Sequence, residues 1–173
     1  MNKNEATKYI LQQLCEWYYA LNPSKRVDDK NDLSVLKVLK LIFFISTVAK
    51  DGYSLLGNPF DKFVAMPLGP VETDVYQFFL SNSAIINYSK VNSDSLVNID
   101  LSAADKHLVD NVIEELKKKN IELINQDAFY LVDLTHEWTC WKNRYEEAKA
   151  MGAKSKPISV DDIKNSTRRF YTY

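Results

Sequence analysis

Apolar residues recur at helical spacing along the first fifty positions. A first helix is predicted from Asn4 to Leu21, because its apolar side chains return every three to four residues. A second helix is predicted from Leu33 to about Lys50, with Asp32 as its N-cap and Asp51-Gly52 at its C-terminal end. Since this helix is apolar nearly all round between Val38 and Ile45, it should be the buried central helix of the fold.

Shorter apolar runs with turn residues between them follow in the middle of the chain. Phe63–Met66 has the pattern of a strand, and Leu68-Gly69-Pro70 is predicted to turn the chain. A helix should begin at Val71, with Pro70 in its first turn, and end near Leu80. Ile85-Ile86 and Leu96–Ile99 are candidate strands that would pair as a small β-hairpin.

The last third of the chain is predicted to be helical. One helix is capped by Ser102, with Asp105 three residues later, and ends at the lysine run before Asn120. Three shorter helices are predicted after it, at Asp127 to Leu134, at Trp141 to Met151, and from a cap at Ser159 towards Arg169. Lys154 to Pro157 is interpreted as the linker before the last helix.

The predicted elements together define a mainly α fold. A chain of 173 residues fits one domain, and neither an internal repeat nor a composition shift marks a boundary. We therefore expect a single compact helical domain over residues 1–173, with a buried central helix and a small β-hairpin.

Charge and composition narrow the classes of function. The net charge of −1 argues against a nucleic-acid binder, which usually carries a basic excess. Cys15 and Cys140 lie far apart, without metal or redox spacing, and are interpreted as reduced core thiols. The N-terminus lacks the pattern of a signal peptide, and Leu41–Ala49 is too short to span a bilayer. A cytoplasmic protein with no membrane partner is expected.

Candidate catalytic and metal-binding patterns are incomplete. His136-Glu137 begins like a zinc-protease motif, but Cys140 stands where the second histidine is needed. A ring tied to backbone groups at a helix end is therefore favoured for His136 over a metal ligand. A Cys140–His136 nucleophile pair is disfavoured, because such dyads normally join separate elements. The expectation is a protein that is not an enzyme and binds no metal or cofactor.

Aromatic and arginine residues are the remaining candidates for function, because such side chains often anchor protein interfaces. The run Trp17-Tyr18-Tyr19 carries more aromatics than one helix face should bury. The C-terminal tail supplies candidate partner-binding residues: Arg168, Arg169, Tyr171 and Tyr173. Packing of the tail on the first helix, or contact with nucleic acid, is left as an alternative.

Four segments resemble the motifs of one known family and occur in its order. They are Val38–Phe43, Leu68–Val71, Leu134–His136 with Trp141, and Ile158–Ile163. These segments are similar to a central-helix motif Leu-x-Lys-Leu-Leu-Tyr, a turn Tyr-Gly-Pro-Val, a Leu-Thr-His…Trp motif and a closing Ile-x-x-x-x-Ile. The family is the Panacea domain, also called SocA-like or phage-associated GepA-like, and the resemblance covers about residues 33–170.

The resemblance implies a mainly helical antitoxin that binds and neutralises a toxin encoded by a neighbouring gene. One branch of the family instead delivers its toxin to a ClpXP-type protease, and a DNA-binding regulator of its own operon is a further alternative. The family residues carried over are interpreted as mostly structural: Lys40, Gly69, Pro70, Val71, Thr135, His136 and Trp141. Leu68 and Phe43 depart from the family pattern, because each replaces a tyrosine.

Overall fold

A computed structural model describes residues 1–49 and 53–171. Its helices are α1 (Lys3–Leu21), α2 (Val35–Val48), α3 (Thr73–Ser81), α4 (Ala103–Lys119), α5 (Ala128–His136), α6 (Thr139–Ala150) and α7 (Val160–Lys164). Its strands are β1 (Phe63–Met66), β2 (Gly69–Glu72) and β3 (Lys156–Ile158). The three strands form an antiparallel sheet in the order β2-β1-β3. The prediction of a mainly α fold is confirmed.

The central helix of the fold is α2, as its sequence predicts. Nearly every side chain from Val35 to Val48 is buried, and α2 packs against α4, α5 and β2. The predicted N-cap is wrong, because the side chain of Ser34 accepts the hydrogen bond from the backbone N–H of Lys37. Asp32 binds the side chain of Lys37 instead, at 2.8 Å. The predicted end at Asp51-Gly52 lies outside the described residues.

The chain after Met66 forms a strand where the sequence predicts a helix. Pro67 and Leu68 connect β1 directly to β2, with Met66 opposite Gly69 and Ala65 opposite Pro70. A proline is tolerated here because an edge strand can lack one ladder hydrogen bond. The helix begins only at Thr73, where the side chain of Glu72 accepts a hydrogen bond from the N–H of Asp74. The predicted helix start at Val71 is therefore wrong.

The hairpin predicted from Ile85-Ile86 and Leu96–Ile99 is also wrong. Ile86 forms one isolated bridge, with Val91, and a short 3-10 turn occupies Ser93–Ser95. The real hairpin is β1–β2. The predicted linker contributes the third strand, since Phe63 pairs with Ile158 and Val64 with Pro157.

The helices of the last third begin close to their predicted starts. Ser102 caps α4 and Asp127 caps α5. Ser159 and Asp162 form a reciprocal capping box at the start of α7. However, α7 ends at Lys164, well before Arg169, and the chain continues without regular structure.

The aromatic run in α1 is buried, which corrects its interpretation as surplus aromatic surface. Trp17, Tyr18 and Tyr19 are each less than 5% exposed. The indole N–H of Trp17 donates to the carbonyl of Ile121, and the hydroxyl of Tyr19 donates to the carboxylate of Asp29. All three are buried because α1 contacts α3, α4 and three 3-10 turns (Pro23–Lys25, Ser93–Ser95 and Ile121–Asn125), so more than one of its faces is covered.

The tail packs on the central helix. Phe170 is 7% exposed and lies between Phe44 and Trp138, with ring centroids 6.0 and 5.5 Å away. The guanidinium of Arg168 donates to the carbonyl of Thr47 at the end of α2, at 2.8 Å. Within the described parts of the chain, no helix combines the length and apolarity that a membrane crossing requires.

Candidate functional site

The turn of the β1–β2 hairpin is held by side chains from other elements. The indole N–H of Trp141, on α6, donates to the carbonyl of Met66 at 2.8 Å. The amine of Lys40, on α2, donates to the carbonyl of Pro70 at 2.8 Å. His136, at the end of α5, hydrogen-bonds the backbone of Pro67. Since proline has no N–H, the acceptor is its carbonyl oxygen. Contacts from distant parts of the chain therefore fix the turn on both sides.

Gly69 is required at the start of β2 for two separate reasons. Its φ of +98° lies in the region that L side chains rarely adopt. A Cβ on Gly69 would also lie 2.4 Å from the hydroxyl oxygen of Thr135 and 3.1 Å from the amine of Lys40. The hairpin can approach α2 and α5 this closely only because residue 69 has no side chain.

Lys40 is a buried lysine that has no carboxylate partner among residues 1–49 and 53–171. Its side chain has no exposed surface, and its one described hydrogen bond goes to the Pro70 carbonyl. Burial lowers the pKa of Lys40 from 10.5 to about 7, because the charged form is poorly solvated there. Burial therefore favours the neutral form of this amine.

This burial predicts a particular pH dependence for a Lys40→Met variant. The pKa of Lys40 is lower in the folded than in the unfolded chain, so the unfolded chain binds more protons between about pH 7 and pH 10.5. The wild type therefore gains stability from this group as pH rises through that range, on the order of 4 kcal/mol in total. The variant lacks the gain, so its stability relative to wild type should fall steadily from pH 7 to pH 10.

Denaturant unfolding at several pH values measures this difference. An exposed lysine variant, Lys149→Met, is the control, and its curve should run parallel to the wild-type curve. Parallel curves for Lys40→Met as well would contradict the buried neutral amine. The lost hydrogen bond to Pro70 shifts the whole Lys40→Met curve without changing its slope.

A column of stacked rings supports the turn from α5 and α6. The ring of His136 stacks on Trp141 at 3.8 Å, and Trp141 stacks on Tyr145 at 4.9 Å. Burial lowers the pKa of His136, although its hydrogen bond to Pro67 acts in the opposite direction. Its Nε2 is buried without a hydrogen-bond partner among the described residues. The geometry is that of a neutral ring packed against the hairpin and tied to its backbone.

The thiol of Cys140 lies close by in sequence but is not poised as a nucleophile. Cys140 is 4% exposed, and burial raises its pKa, which keeps the sulfur protonated at neutral pH. Its backbone N–H donates to the hydroxyl of Ser166 at 3.0 Å. Both cysteines of the chain are free and buried, as the sequence predicts.

One cluster of carboxylates joins the two ends of the hairpin to the N-terminus. The amine of Lys3 lies 2.7 Å from Asp61, 2.6 Å from Glu72 and 2.8 Å from Asp74. Within residues 1–49 and 53–171, these three acids are the one group close enough together to hold a metal ion. Burial acts to lower the pKa of Lys3, but the three carboxylates raise it above its ordinary value. The lysine ammonium therefore already provides the cation that the cluster needs.

The structure brings the carried-over family residues to one place. Lys40, Thr135, His136 and Trp141 surround the turn, while Gly69, Pro70 and Val71 belong to β2 itself. The tail residues lie elsewhere. Arg168 is half-buried on α2, the carbonyl of Arg169 accepts a hydrogen bond from Trp138, and Tyr171 is 44% exposed. Tyr173 lies outside the described residues.

These features define a mainly helical protein built around a hairpin that three helices hold in place. A family model described as "Antitoxin SocA-like, Panacea domain" matches residues 38–142, which is more than half of the chain. The chain belongs to this SocA-like, Panacea-domain family. A search of curated proteins and a search of solved structures each gave no match. Membership suggests an antitoxin-type, non-enzymatic role and, in general, a toxin as partner.

The matched residues include the whole hairpin and every side chain that holds its turn. The closing motif Ile158–Ile163 and the tail lie beyond the match. The sequence does not indicate the Lys3 cluster, because its members come from four separate parts of the chain. Lys3 lies in α1, Asp61 precedes β1, Glu72 ends β2 and Asp74 lies in α3.

Proposed function

We propose that this chain is the antitoxin of a toxin–antitoxin pair and neutralises its toxin by direct binding in the cytoplasm. The family match over residues 38–142 is the observation that carries this proposal. In it, the chain acts as one domain, without a catalytic step, metal or cofactor, and the toxin is the product of a neighbouring gene. Neutralisation then depends on shape and charge at a protein–protein surface.

The burial of the family residues favours a division between structural and binding roles. Lys40, Gly69, Pro70 and Val71 are all buried, so a partner would not reach them without a rearrangement. We assign them, with Thr135, His136 and Trp141, to holding the hairpin. The exposed residues between and beside them then carry recognition, and the tail residues Arg168, Arg169, Tyr171 and Tyr173 remain candidates for partner contact.

Co-expression with the adjacent open reading frame tests the proposal. We expect the neighbouring product alone to arrest growth, and expression of this chain to restore growth while the two proteins co-purify. A neighbouring gene product that does not arrest growth when expressed alone would contradict the proposal. So would a growth arrest that this chain fails to relieve. Repeating the assay in a strain without a ClpXP-type protease separates direct neutralisation, which persists there, from delivery for proteolysis, which does not.

A further inference from the structure

The hairpin turn and α5 lie next to each other, and together they present two exposed apolar side chains and two exposed acids. Pro67 and Leu68 at the turn, Phe129 and Asp133 on α5, and Glu137 at the C-cap of α5 are together called the turn–α5 surface. Leu68 is 45% exposed and Phe129 is 63% exposed. Exposed single apolar residues are common on protein surfaces, and these two differ from them in their arrangement.

Helical spacing places Phe129, Asp133 and the C-cap residue Glu137 on one face of α5. Phe129, Asp133 and Glu137 are four residues apart and all exposed, whereas Leu131, Leu134 and Thr135 on the other side are buried. At about 1.5 Å per residue, Phe129 and Glu137 are separated by roughly 12 Å along the helix. His136 hydrogen-bonds the carbonyl of Pro67, so the turn lies beside the C-terminal end of this face.

The turn is held more firmly than an exposed connection usually is. Met66, Pro67 and Pro70 each receive a side-chain hydrogen bond at their carbonyls, from α6, α5 and α2 respectively. Loops are normally more mobile than the elements they connect. A fixed turn that presents a leucine lowers the ordering cost of binding, which is how preorganised surfaces gain affinity.

The charge between the two apolar residues is negative. Asp133 has no cation within 4 Å in the described parts of the chain, and Glu137 has only the exposed Lys142, at 3.7 Å. An ion pair this exposed contributes little. A partner that covers the face must therefore supply positive charge opposite Asp133 and Glu137, and apolar cavities for the two side chains at its ends.

We propose that the turn–α5 surface is where this chain binds its protein partner, a surface with cationic side chains between two apolar pockets that receive Leu68 and Phe129. This inference rests on the proposed antitoxin function and names its interface. The aromatic ring at one end and the leucine at the other serve as anchors, and the acids speed and orient the encounter.

The test measures binding of the purified adjacent gene product to variants of the full chain. We expect Leu68→Asp and Phe129→Asp each to weaken binding by at least about 30-fold, the loss typical of an interface anchor. The matched controls are Leu80→Asp, at a leucine 48% exposed on α3, and Tyr88→Asp, at an aromatic 82% exposed. Both controls should change affinity less than about threefold. Circular dichroism confirms that each variant is folded.

A charge-reversal pair tests the acidic part separately. The double variant Asp133→Lys, Glu137→Lys should bind more weakly than wild type and lose most of its dependence on ionic strength. Asp28→Lys with Asp94→Lys makes the same change in net charge at exposed positions outside α5 and the hairpin, and should bind like wild type.

The outcomes separate the interface from the function. If Leu68→Asp and Phe129→Asp both bind as tightly as wild type, the turn–α5 surface is not the interface. The proposed antitoxin function is not affected by that result. Loss of binding in Arg169→Ala or Tyr171→Ala, with Leu68→Asp unaffected, overturns it in favour of the tail. If the wild type neither binds nor neutralises the product of the adjacent gene, the proposed function is wrong. The proposed interface is then wrong as well, because it rests on that function.

Discussion

Replacing Trp138 with Ala should lower the free energy of unfolding by about 3–5 kcal/mol, the range found for large aromatic-to-alanine changes in a core. Trp138 has no exposed surface and contacts Phe43 edge-to-face, with ring centroids 4.8 Å apart. It also contacts Phe44 and Phe170, and its indole N–H donates to the carbonyl of Arg169 at 2.9 Å. One side chain therefore joins the central helix to the tail.

Trp138→Phe is the matched control for this prediction. It keeps an aromatic ring in the cluster but removes the donor to the Arg169 carbonyl, so we expect a smaller loss, about 1–3 kcal/mol. Urea denaturation followed by far-UV circular dichroism measures both variants. A Trp138→Ala protein within about 1 kcal/mol of wild type would show that the aromatic cluster is not a major source of stability.

Replacing Gly69 with Ala should destabilise the protein by about 2–4 kcal/mol, from backbone strain and a steric clash together. The φ of +98° is unfavourable for alanine, and the new Cβ would approach the Thr135 hydroxyl to 2.4 Å. Thr135 cannot move away easily, because it is fully buried and its hydroxyl donates to the carbonyl of Val132. The clash therefore has to shift the hairpin relative to α5.

Gly152→Ala separates the strain from the clash. Gly152 also has a positive φ, of +70°, but nothing lies within 4 Å of the position its Cβ would occupy. Its cost should be about 1 kcal/mol, from backbone strain alone. Equal losses of stability in the two variants would mean that the close approach of Gly69 to Thr135 and Lys40 does not matter.

The elements that depend on local pattern could be predicted from the sequence. The helix α1, the central position of α2, the strand β1 and the caps of α4 and α7 all follow from apolar spacing and capping residues. Local pattern fails where tertiary contacts decide. The sequence pattern places Pro70 in the first turn of a helix and Pro157 in a linker, yet each lies in a strand that pairs with β1.

The candidate site also contains some residues that could be predicted from the sequence and others that could not. The motif resemblance identified the residues that meet at the turn, although it did not indicate that β2 is a strand. The Lys3 cluster could not be predicted, because residues 3, 61, 72 and 74 become neighbours only in the folded chain. The burial of Trp17, Tyr18 and Tyr19 could not be predicted either, because it depends on elements that cover α1 from several sides.

We propose that this chain neutralises a toxin by binding it. The most direct measurement titrates the purified product of the adjacent gene with the purified chain and follows the activity by which that product arrests growth. Loss of this activity at a fixed molar ratio, without protease or nucleotide present, is the result we predict. Full activity in the presence of a large excess of the folded chain would contradict direct neutralisation.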